Sequence, residues 1–288
     1  LTRIPERAHC RDAQTVRDSV EDQESLDALR ASSWVDYRRG MALKRRTLEG
    51  LARCLFAESS IRRDAFERFV AAHPSLEQYA SFRAVCERRR APWSTWPAPL
   101  AGGLLKEGDY DERARRYHLY VQWVAQEQIH AVAERARAQG AGLCVDLPLG
   151  VHPDGYDVWR ERDAFLSGVS AGAPPDAFFT KGQCWGFPGL HPVRIREQGY
   201  RYVRAFLRHH LSAAGVLRID HVMWLHRLFC IPHGMEARDG VYIRYPAEEL
   251  YAMLSLESHR SRSLLLGEDL GTVPEVVRTT MGEHHVHR

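Results

Sequence analysis

Three segments with helical periodicity are each followed, after a short turn, by a compact apolar run that is typical of a buried strand. Within the helical segments apolar residues recur at intervals of three and four. The three pairs are Asp111 to Ala138 with Leu143 to Pro148, Tyr200 to Ala214 with Val216 to Asp220, and Glu248 to Ser258 with Leu264 to Glu268. This alternation predicts a β/α barrel or an open α/β sheet built on parallel strands.

Two of the predicted strands end in a carboxylate. One apolar run leads into Asp220, and the other leads into Glu268. The carboxyl ends of barrel strands are where active sites form, and a pair of carboxylates is the usual means of cleaving a glycosidic bond. The sequence therefore indicates a carbohydrate-active site at these strand ends.

The neighbours of the two acids suggest different roles. Arg218 lies two residues before Asp220 and shares its face of the strand, so a forked hydrogen bond can hold Asp220 ionised, as a nucleophile requires. The leucines before Glu268 suggest a drier setting that favours the protonated acid. The alternative is that both acids are helix caps or ion-pair partners in strand-to-helix loops.

The first third of the chain reads mostly as helix. Amphipathic segments cover Ala28 to Leu55 and Ile61 to Val70. The candidate N-caps of this region are Ser32, Asp64 and Ser75.

A proline-rich stretch from Ala91 to Pro99 suits neither helix nor strand and predicts a boundary. We therefore expect a helical subdomain over residues 1–90, inserted in or packed on the barrel, and a barrel core over residues 91–288.

The composition limits the partners. The 288 residues carry 40 Lys and Arg against 37 Asp and Glu, a net charge of +3, and the basic residues are dispersed, so nucleic acid is not expected. The sequence contains no apolar run of about 18 residues, so a membrane span is not expected either. Six scattered cysteines contain no CxxC pair, which favours a reducing cytoplasm. The clustered histidines lack zinc-site spacing, and no metal is expected.

Several distinctive motifs follow one another along the chain. They are Trp34-Val-Asp-Tyr37 with Lys44, Pro92-Trp-Ser-Thr-Trp-Pro97, Asp146 to Trp159, Gly172 to Phe179, Gly182-Gln-Cys-Trp-Gly186, Arg218-Ile-Asp-His221 and Gly267-Glu-Asp-Leu-Gly271. In these motifs the chain resembles the amylomaltases, the 4-α-glucanotransferases of glycoside hydrolase family 77. The resemblance covers most of the chain. It implies a (β/α)8 barrel that acts on α-1,4-glucans and maltooligosaccharides with retention of configuration and needs no cofactor.

The resemblance also implies roles for individual residues. Asp220 corresponds to the nucleophile and Glu268 to the general acid/base, with carboxyl groups roughly 5 to 5.5 Å apart. Substrate-binding roles fall to Arg218, His221, Asp269, Asp154, Gln183 and Trp185. Two of these have simpler explanations, because Trp185 could be a core or loop anchor and Asp154, in a Pro-Asp-Gly sequence, a turn residue.

The chain departs from the family pattern towards both ends. The family's third acid, an Asp in a loop several dozen residues after the general acid, has no counterpart among the 20 residues after Glu268. Only three confident strands are found where a barrel has eight. We therefore expect an internal fragment, a partial barrel truncated at both ends, that is inactive in isolation although the complete gene product is an active transferase.

Two other functions fit the same pattern. An amylase-like hydrolase would use the same acids with water as the acceptor. A glucan-binding protein without catalysis would keep only the sugar-contacting surface. The sequence does not indicate an oligomeric state.

Overall fold

The computed structural model describes residues 4–8, 10, 20–57 and 59–288, with the side chains of residues 7 and 20–22 excepted. Its internal contacts divide the chain into two compact units, and the division falls between Gln128 and Ile129. The predicted boundary near residue 90 stays a prediction.

The first unit is helical. Its helices are α1 (Val20–Ala31), α2 (Tyr37–Ala57), α3 (Ile61–Ala72), α4 (Pro74–Arg89), α5 (Ala98–Ala101) and α6 (Glu112–Ala138), which runs on into the second unit. Single 3-10 turns cover Pro5–Ala8 and Trp93–Thr95. The predicted helix over Ala28 to Leu55 is interrupted between α1 and α2, whereas those over Ile61 to Val70 and Asp111 to Ala138 are confirmed.

The break between α1 and α2 has a local cause. The side-chain oxygen of Ser32 accepts a hydrogen bond from the backbone N–H of Trp34, which closes a turn at 3.1 Å. Asp36 then caps α2 by accepting from the N–H of Arg39 at 2.9 Å. Ser32 therefore ends one helix instead of starting the next, and its prediction as an N-cap was wrong.

The other two predicted caps were also wrong. Ser60 caps α3 by accepting a hydrogen bond of 3.1 Å from the N–H of Arg63, and Asp64 lies one turn inside the helix. Ser75 lies within α4, whose cap position is His73. The apolar periodicity locates these helices but not their caps, which depend on local features: a side-chain hydrogen bond at Ser60 in α3, and Pro74 directly after His73 in α4.

Apolar and aromatic side chains from α2, α3, α4 and α6 form the core of the first unit. Leu51 and Tyr120 are fully buried, and the rings of Phe66 and Trp123 meet edge to face with centroids 5.5 Å apart. The guanidinium of Arg62 lies over the Trp123 ring at 4.0 Å. The core thus fixes α6 through its aromatic face.

A disulfide joins Cys10 to Cys54. The pair is 44 residues apart in sequence, so the spacing of the cysteines does not indicate it. Cys144, Cys184 and Cys230 are free. The bond attaches Cys10 to α2.

The second unit contains two four-stranded sheets. Its strands are β1 (Leu143–Leu147), β2 (Val169–Ala173), β3 (Gln183–Cys184), β4 (Ala214–Ile219), β5 (Arg227–Pro232), β6 (Val241–Arg244), β7 (Leu264–Gly267) and β8 (Val286–His287). Its helices are α7 (Tyr156–Arg160), α8 (Pro192–Glu197), α9 (Arg201–Leu211), α10 (Ala247–Ser261) and α11 (Glu275–Glu283), with 3-10 turns at Arg162–Ala164, Val222–Leu225 and Ala237–Asp239.

The first sheet is parallel, in the order β1-β4-β7-β8. The three predicted strands are β1, β4 and β7, and the helices α6, α9 and α10 precede them as the sequence predicts. The short strand β8 adds a fourth. Leu217 and Ile219 of the central strand β4 are completely buried, which places the core directly beneath the strand ends. The predicted α/β alternation is thereby confirmed.

The second sheet is antiparallel, in the order β3-β2-β5-β6, and the sequence analysis missed it. Its strands lie in the segments that follow β1 and β4, where they are short and closely flanked by glycine or proline. A Cβ atom on Gly172 would lie 2.1 Å from the carbonyl oxygen of Gln183, so the β2 to β3 contact requires glycine. No helix in the described part of either unit is long and apolar enough to cross a membrane.

Candidate active site

Asp220 and Glu268 lie side by side at the carboxyl ends of β4 and β7. Ile219 pairs with Gly267 in the parallel register, so the next position on each strand holds one of the two acids. The N–H of Glu268 donates to the carbonyl oxygen of Ile219 at 2.9 Å, and this hydrogen bond continues the ladder to the acids themselves. Because register partners on neighbouring strands share a face, the register places both side chains on the same face of the sheet.

The local sequence explains this placement. Leu217 and Ile219 alternate with Arg218 and Asp220, so the two apolar side chains enter the core while the two polar ones face the opposite way. The side chain of Asp220 is 42% exposed. A solute therefore has access to the carboxylate although the strand beneath it is buried.

The carboxylate of Glu268 is held by the chain that follows β4. The backbone N–H of His221 donates to Oε2 of Glu268 at 2.7 Å, and the N–H of Val222 donates to the backbone carbonyl oxygen of Glu268 at 3.0 Å. His221 adopts a left-handed backbone conformation with φ of 49°. This positive φ in a residue other than glycine is a strained conformation at a candidate site.

Arg218 contacts two acids through one nitrogen. Its Nη1 lies 2.6 Å from Oδ1 of Asp146 and 3.1 Å from Oδ1 of Asp220. The predicted contact between Arg218 and Asp220 is confirmed, but it is a single hydrogen bond, and the prediction of a fork was wrong. The reason is Asp146, which lies in register with Arg218 on β1 and takes the shorter bond. Asp146 raises the pKa of the Arg218 guanidinium, and burial opposes this change.

The sequence analysis missed Asp146 as a site residue. It stands inside the apolar run of β1, one residue before the strand ends, whereas Asp220 and Glu268 stand after theirs. Its place in the Asp-Leu-Pro motif was visible, but only the register of β1 with β4 shows that it reaches Arg218.

The imidazole of His221 lies between the acids and an aromatic side chain. Burial lowers the pKa of His221, and the nearby charges of Glu268 and Asp220 offset this effect in part. The neutral ring, with one donor and one acceptor nitrogen, is therefore favoured at neutral pH. Its edge meets the Trp185 ring at a centroid distance of 5.3 Å.

Gln183 and Trp185 form a pair next to His221. The indole N–H of Trp185 donates to the side-chain oxygen of Gln183 at 3.0 Å, and the ring stacks on Phe187 with centroids 6.1 Å apart. Both side chains are half-buried. Trp185 thus links the antiparallel sheet, which carries Gln183, to the end of β4.

Asp269 and Asp154 have other local roles. The carboxylate of Asp269 accepts hydrogen bonds from Arg278 at 3.0 Å and Arg288 at 2.9 Å, and these cations lower its pKa although burial acts against them. Asp154 lies in the turn between β1 and α7, where its N–H donates to Nδ1 of His152 at 3.0 Å. Their predicted sugar contacts stay predictions. Among the described residues, no three His, Cys, Asp or Glu side chains are grouped to hold a metal ion.

Comparison with known proteins places this geometry in a family. Residues 5–288 match glycoside hydrolase family 77, described as 4-alpha-glucanotransferase. A 4-alpha-glucanotransferase from Mycobacterium bovis is 34% identical over 286 residues, which are 96% of this chain and 38% of that protein.

Solved structures agree. The crystal structure of amylomaltase from Corynebacterium glutamicum superposes with a TM-score of 0.83 at 29% identity, over 99% of this chain and 39% of that one. Amylomaltase from Streptococcus agalactiae in complex with acarbose shares the fold, with a TM-score of 0.77 at 22% identity over 95% of this chain and 58% of that one.

These neighbours confirm the predicted resemblance and the β/α barrel class. The chain spans less than two thirds of the length of each of these three proteins. Since the family match extends over nearly every residue, the chain belongs to glycoside hydrolase family 77, the 4-α-glucanotransferases.

Proposed function

We propose that the protein containing this chain is a retaining 4-α-glucanotransferase, which moves segments of an α-1,4-glucan from a donor to an acceptor through a covalent glycosyl-enzyme. The observation that carries the proposal is the register of β4 with β7, which sets Asp220 beside Glu268 on one face of the sheet. A retaining mechanism requires two carboxylates that flank one glycosidic bond, the nucleophile at the anomeric carbon and the acid at the leaving oxygen, and neighbouring strand ends bring two acids together for this. The activity of the Mycobacterium bovis relative supports the same reaction.

In the first step Asp220 is the nucleophile. Its carboxylate oxygen bonds to the anomeric carbon while the bond from that carbon to the leaving glycosidic oxygen breaks. Glu268 gives its proton to that oxygen, so the leaving glucan departs with a neutral 4-hydroxyl group. The single hydrogen bond from Arg218 orients the attacking carboxylate.

In the second step the roles of Glu268 reverse. Its carboxylate takes the proton from the 4-hydroxyl of an acceptor sugar, whose oxygen bonds to the anomeric carbon and releases Asp220. The hydrogen bond from the N–H of His221 stabilises Glu268 while it is ionised. The two inversions together retain the α configuration.

The neutral His221 and the Gln183 to Trp185 pair are proposed to contact the sugar at the cleavage point. Trp185 offers an aromatic face for a pyranose ring, and the amide nitrogen of Gln183 offers donors to sugar hydroxyls while its oxygen is engaged by Trp185. Asp154 and Asp269 are proposed to line neighbouring sugar sites. Asp269 would contact a sugar hydroxyl while its carboxylate stays paired with Arg278 and Arg288.

The test is the product pattern from maltotriose, measured on the protein at its natural length. Transfer gives glucose together with oligosaccharides longer than the substrate, and Asp220→Asn is expected to abolish both. A hydrolase would give only shorter sugars. Binding of acarbose without any product would leave a glucan-binding protein, and this result would overturn the proposal.

The covalent intermediate has its own test. A 5-fluoro maltosyl fluoride is expected to leave a stable adduct on the peptide that contains Asp220, visible as a mass increase equal to the fluorinated sugar. An adduct on another carboxylate would show that Asp220 is not the nucleophile. Asp163→Asn, which changes an exposed acid of the second unit, is the matched control and is expected to label like the wild type.

A further inference from the structure

We propose that Asp146 is a positioning residue, which acts on the nucleophile by holding the guanidinium of Arg218. The inference rests on the proposed function, because it takes Asp220 as the nucleophile. Asp146 contacts neither Asp220 nor Glu268 among the hydrogen bonds and ion pairs of the described residues. Its effect must therefore pass through Arg218.

The geometry of the contact is specific. Asp146 is the register partner of Arg218 on β1, and Asp220 lies two residues beyond Arg218 on β4. One nitrogen, Nη1, serves both acids, at 2.6 Å to Asp146 and 3.1 Å to Asp220. Since Nη1 carries two hydrogens, each acid can take one of them. Two acceptors on different strands fix the guanidinium plane, whereas a single acceptor would let this long side chain rotate.

The difference in length has a chemical consequence. A guanidinium prefers to bind a carboxylate through two parallel hydrogen bonds, which would engage both oxygens of Asp220. Asp146 takes the shorter bond and so prevents Arg218 from forming that fork. The nucleophile keeps one hydrogen bond for orientation, and its second oxygen stays available to attack the anomeric carbon.

This role is separate from stability. The side chains of Asp146 and Arg218 are 63% and 33% exposed, and ion pairs with such exposure contribute little to folding. Loss of Asp146 is therefore expected to change the rate of reaction but not the melting temperature.

The kinetic test compares four variants at natural length with the wild type, using maltotriose as the substrate. We expect Asp146→Asn to lower kcat by about tenfold to a hundredfold with little change in KM, because misplacement of a reacting group by about 1 Å can cost on the order of a hundredfold in rate. Asp146→Glu, which keeps the charge, is expected to recover part of the loss. In an Arg218→Ala background, Asp146→Asn should cause no further loss, since both changes remove the same contact.

Two results would overturn the proposal. One is a wild-type kcat in Asp146→Asn, and the other is an equal loss with and without Arg218. The exposed Asp163→Asn serves as the control for removal of an acid at the surface of the same unit.

A measurement without substrate separates this inference from the proposed function. The two Nη groups of Arg218, identified by the signals that Arg218→Ala lacks, should give separate nitrogen resonances in the wild type because rotation of the guanidinium is hindered. Asp146→Asn should merge them. Unchanged, separate signals in Asp146→Asn would refute the positioning role, whereas merged signals in a protein with no transferase activity would refute only the proposed function.

Discussion

The backbone N–H of His221 donates a hydrogen bond of 2.7 Å to Oε2 of Glu268. Since His221 directly follows Asp220, a single peptide segment holds one acid and carries the other. The carboxylate of Glu268 is thus anchored by a main-chain donor directly after Asp220, and this donor does not depend on a side-chain rotamer.

Glu268→Gln should keep the contact to His221, because the amide oxygen can still accept the hydrogen bond. It should lower kcat on maltotriose by roughly 10²-fold to 10⁴-fold, since it removes the proton that the leaving sugar needs. Donor cleavage from α-maltosyl fluoride should suffer less, because fluoride leaves without protonation. Stopped-flow release of fluoride and glucose measures both. Equal losses on the two substrates would contradict the assignment of Glu268 as the acid.

Gly267→Ala should destabilise the second unit by about 1 to 3 kcal/mol through overpacking. A Cβ atom at this position would lie 2.8 Å from Cε of Met281 and 2.9 Å from Cγ2 of Val222. The matched change is Gly282→Ala in α11, where no atom lies within 4 Å of the new Cβ and a gain of about 0.5 to 1 kcal/mol is expected from helix propensity. Urea unfolding compares the two variants. Similar effects of both changes would show that the packing around Gly267 is loose.

Glu87→Gln should remove part of the pH dependence of the first unit's stability. Burial alone raises the pKa of Glu87, but hydrogen bonds from His118 and Arg45 outweigh it and lower the pKa to about 2. A lowered pKa in the folded state stabilises the protein above the ordinary value of 4.5, and this stabilisation is lost as the pH falls toward about 2.

The expected difference in unfolding free energy between wild type and Glu87→Gln is roughly 1 to 3 kcal/mol at pH 7, reduced for partial solvent exposure, and it should shrink below pH 4.5. Urea titrations between pH 7 and pH 3 follow it. Glu107→Gln, at an exposed position, should show no such trend. A difference that grows on acidification would show that the hydrogen bonds from His118 and Arg45 to ionised Glu87 do not stabilise the fold.

Cys54→Ser should lower the unfolding free energy by about 3 to 4 kcal/mol under oxidising conditions, because the disulfide closes a loop of 44 residues. A dithiol reductant should lower the stability of the wild type by a similar amount and leave the variant unchanged. Cys144→Ser, at an exposed free cysteine, is the control. Equal stability of wild type and Cys54→Ser in the absence of reductant would show that the bond does not form in solution.

Much of the parallel sheet could be predicted from sequence, because each of its three longer strands is a short apolar run behind an amphipathic helix. Asp220 and Glu268 were predicted as a pair because both directly follow such a run. The hydrogen-bond partners of the two acids could not be predicted, because they depend on tertiary contacts that are not visible in the neighbouring sequence. Asp146 takes the better bond from Arg218 only because β1 and β4 align at that position.

The antiparallel sheet and the helix caps could not be predicted for a different reason. Gly172 allows β2 to approach β3 closely, and in the sequence it reads as a loop residue beside two prolines. Ser60 caps α3 through one hydrogen bond to Arg63, and the apolar pattern from which Asp64 was chosen contains no trace of that bond. The disulfide likewise depends on the packing of α2 and not on cysteine spacing.

The antiparallel sheet has a consequence for how this site can change. Strands β2 and β3 lie in the segment that connects β1 to β4, and β5 and β6 lie in the segment that connects β4 to β7. The hydrogen bonds between β2 and β5 therefore join these two connecting segments in one sheet. An insertion in either connection must preserve the ladder shared with the other. Altered sugar preference in relatives should therefore come from paired replacements across β2 and β5, or from exchange of both segments together, more readily than from lengthening one of them alone.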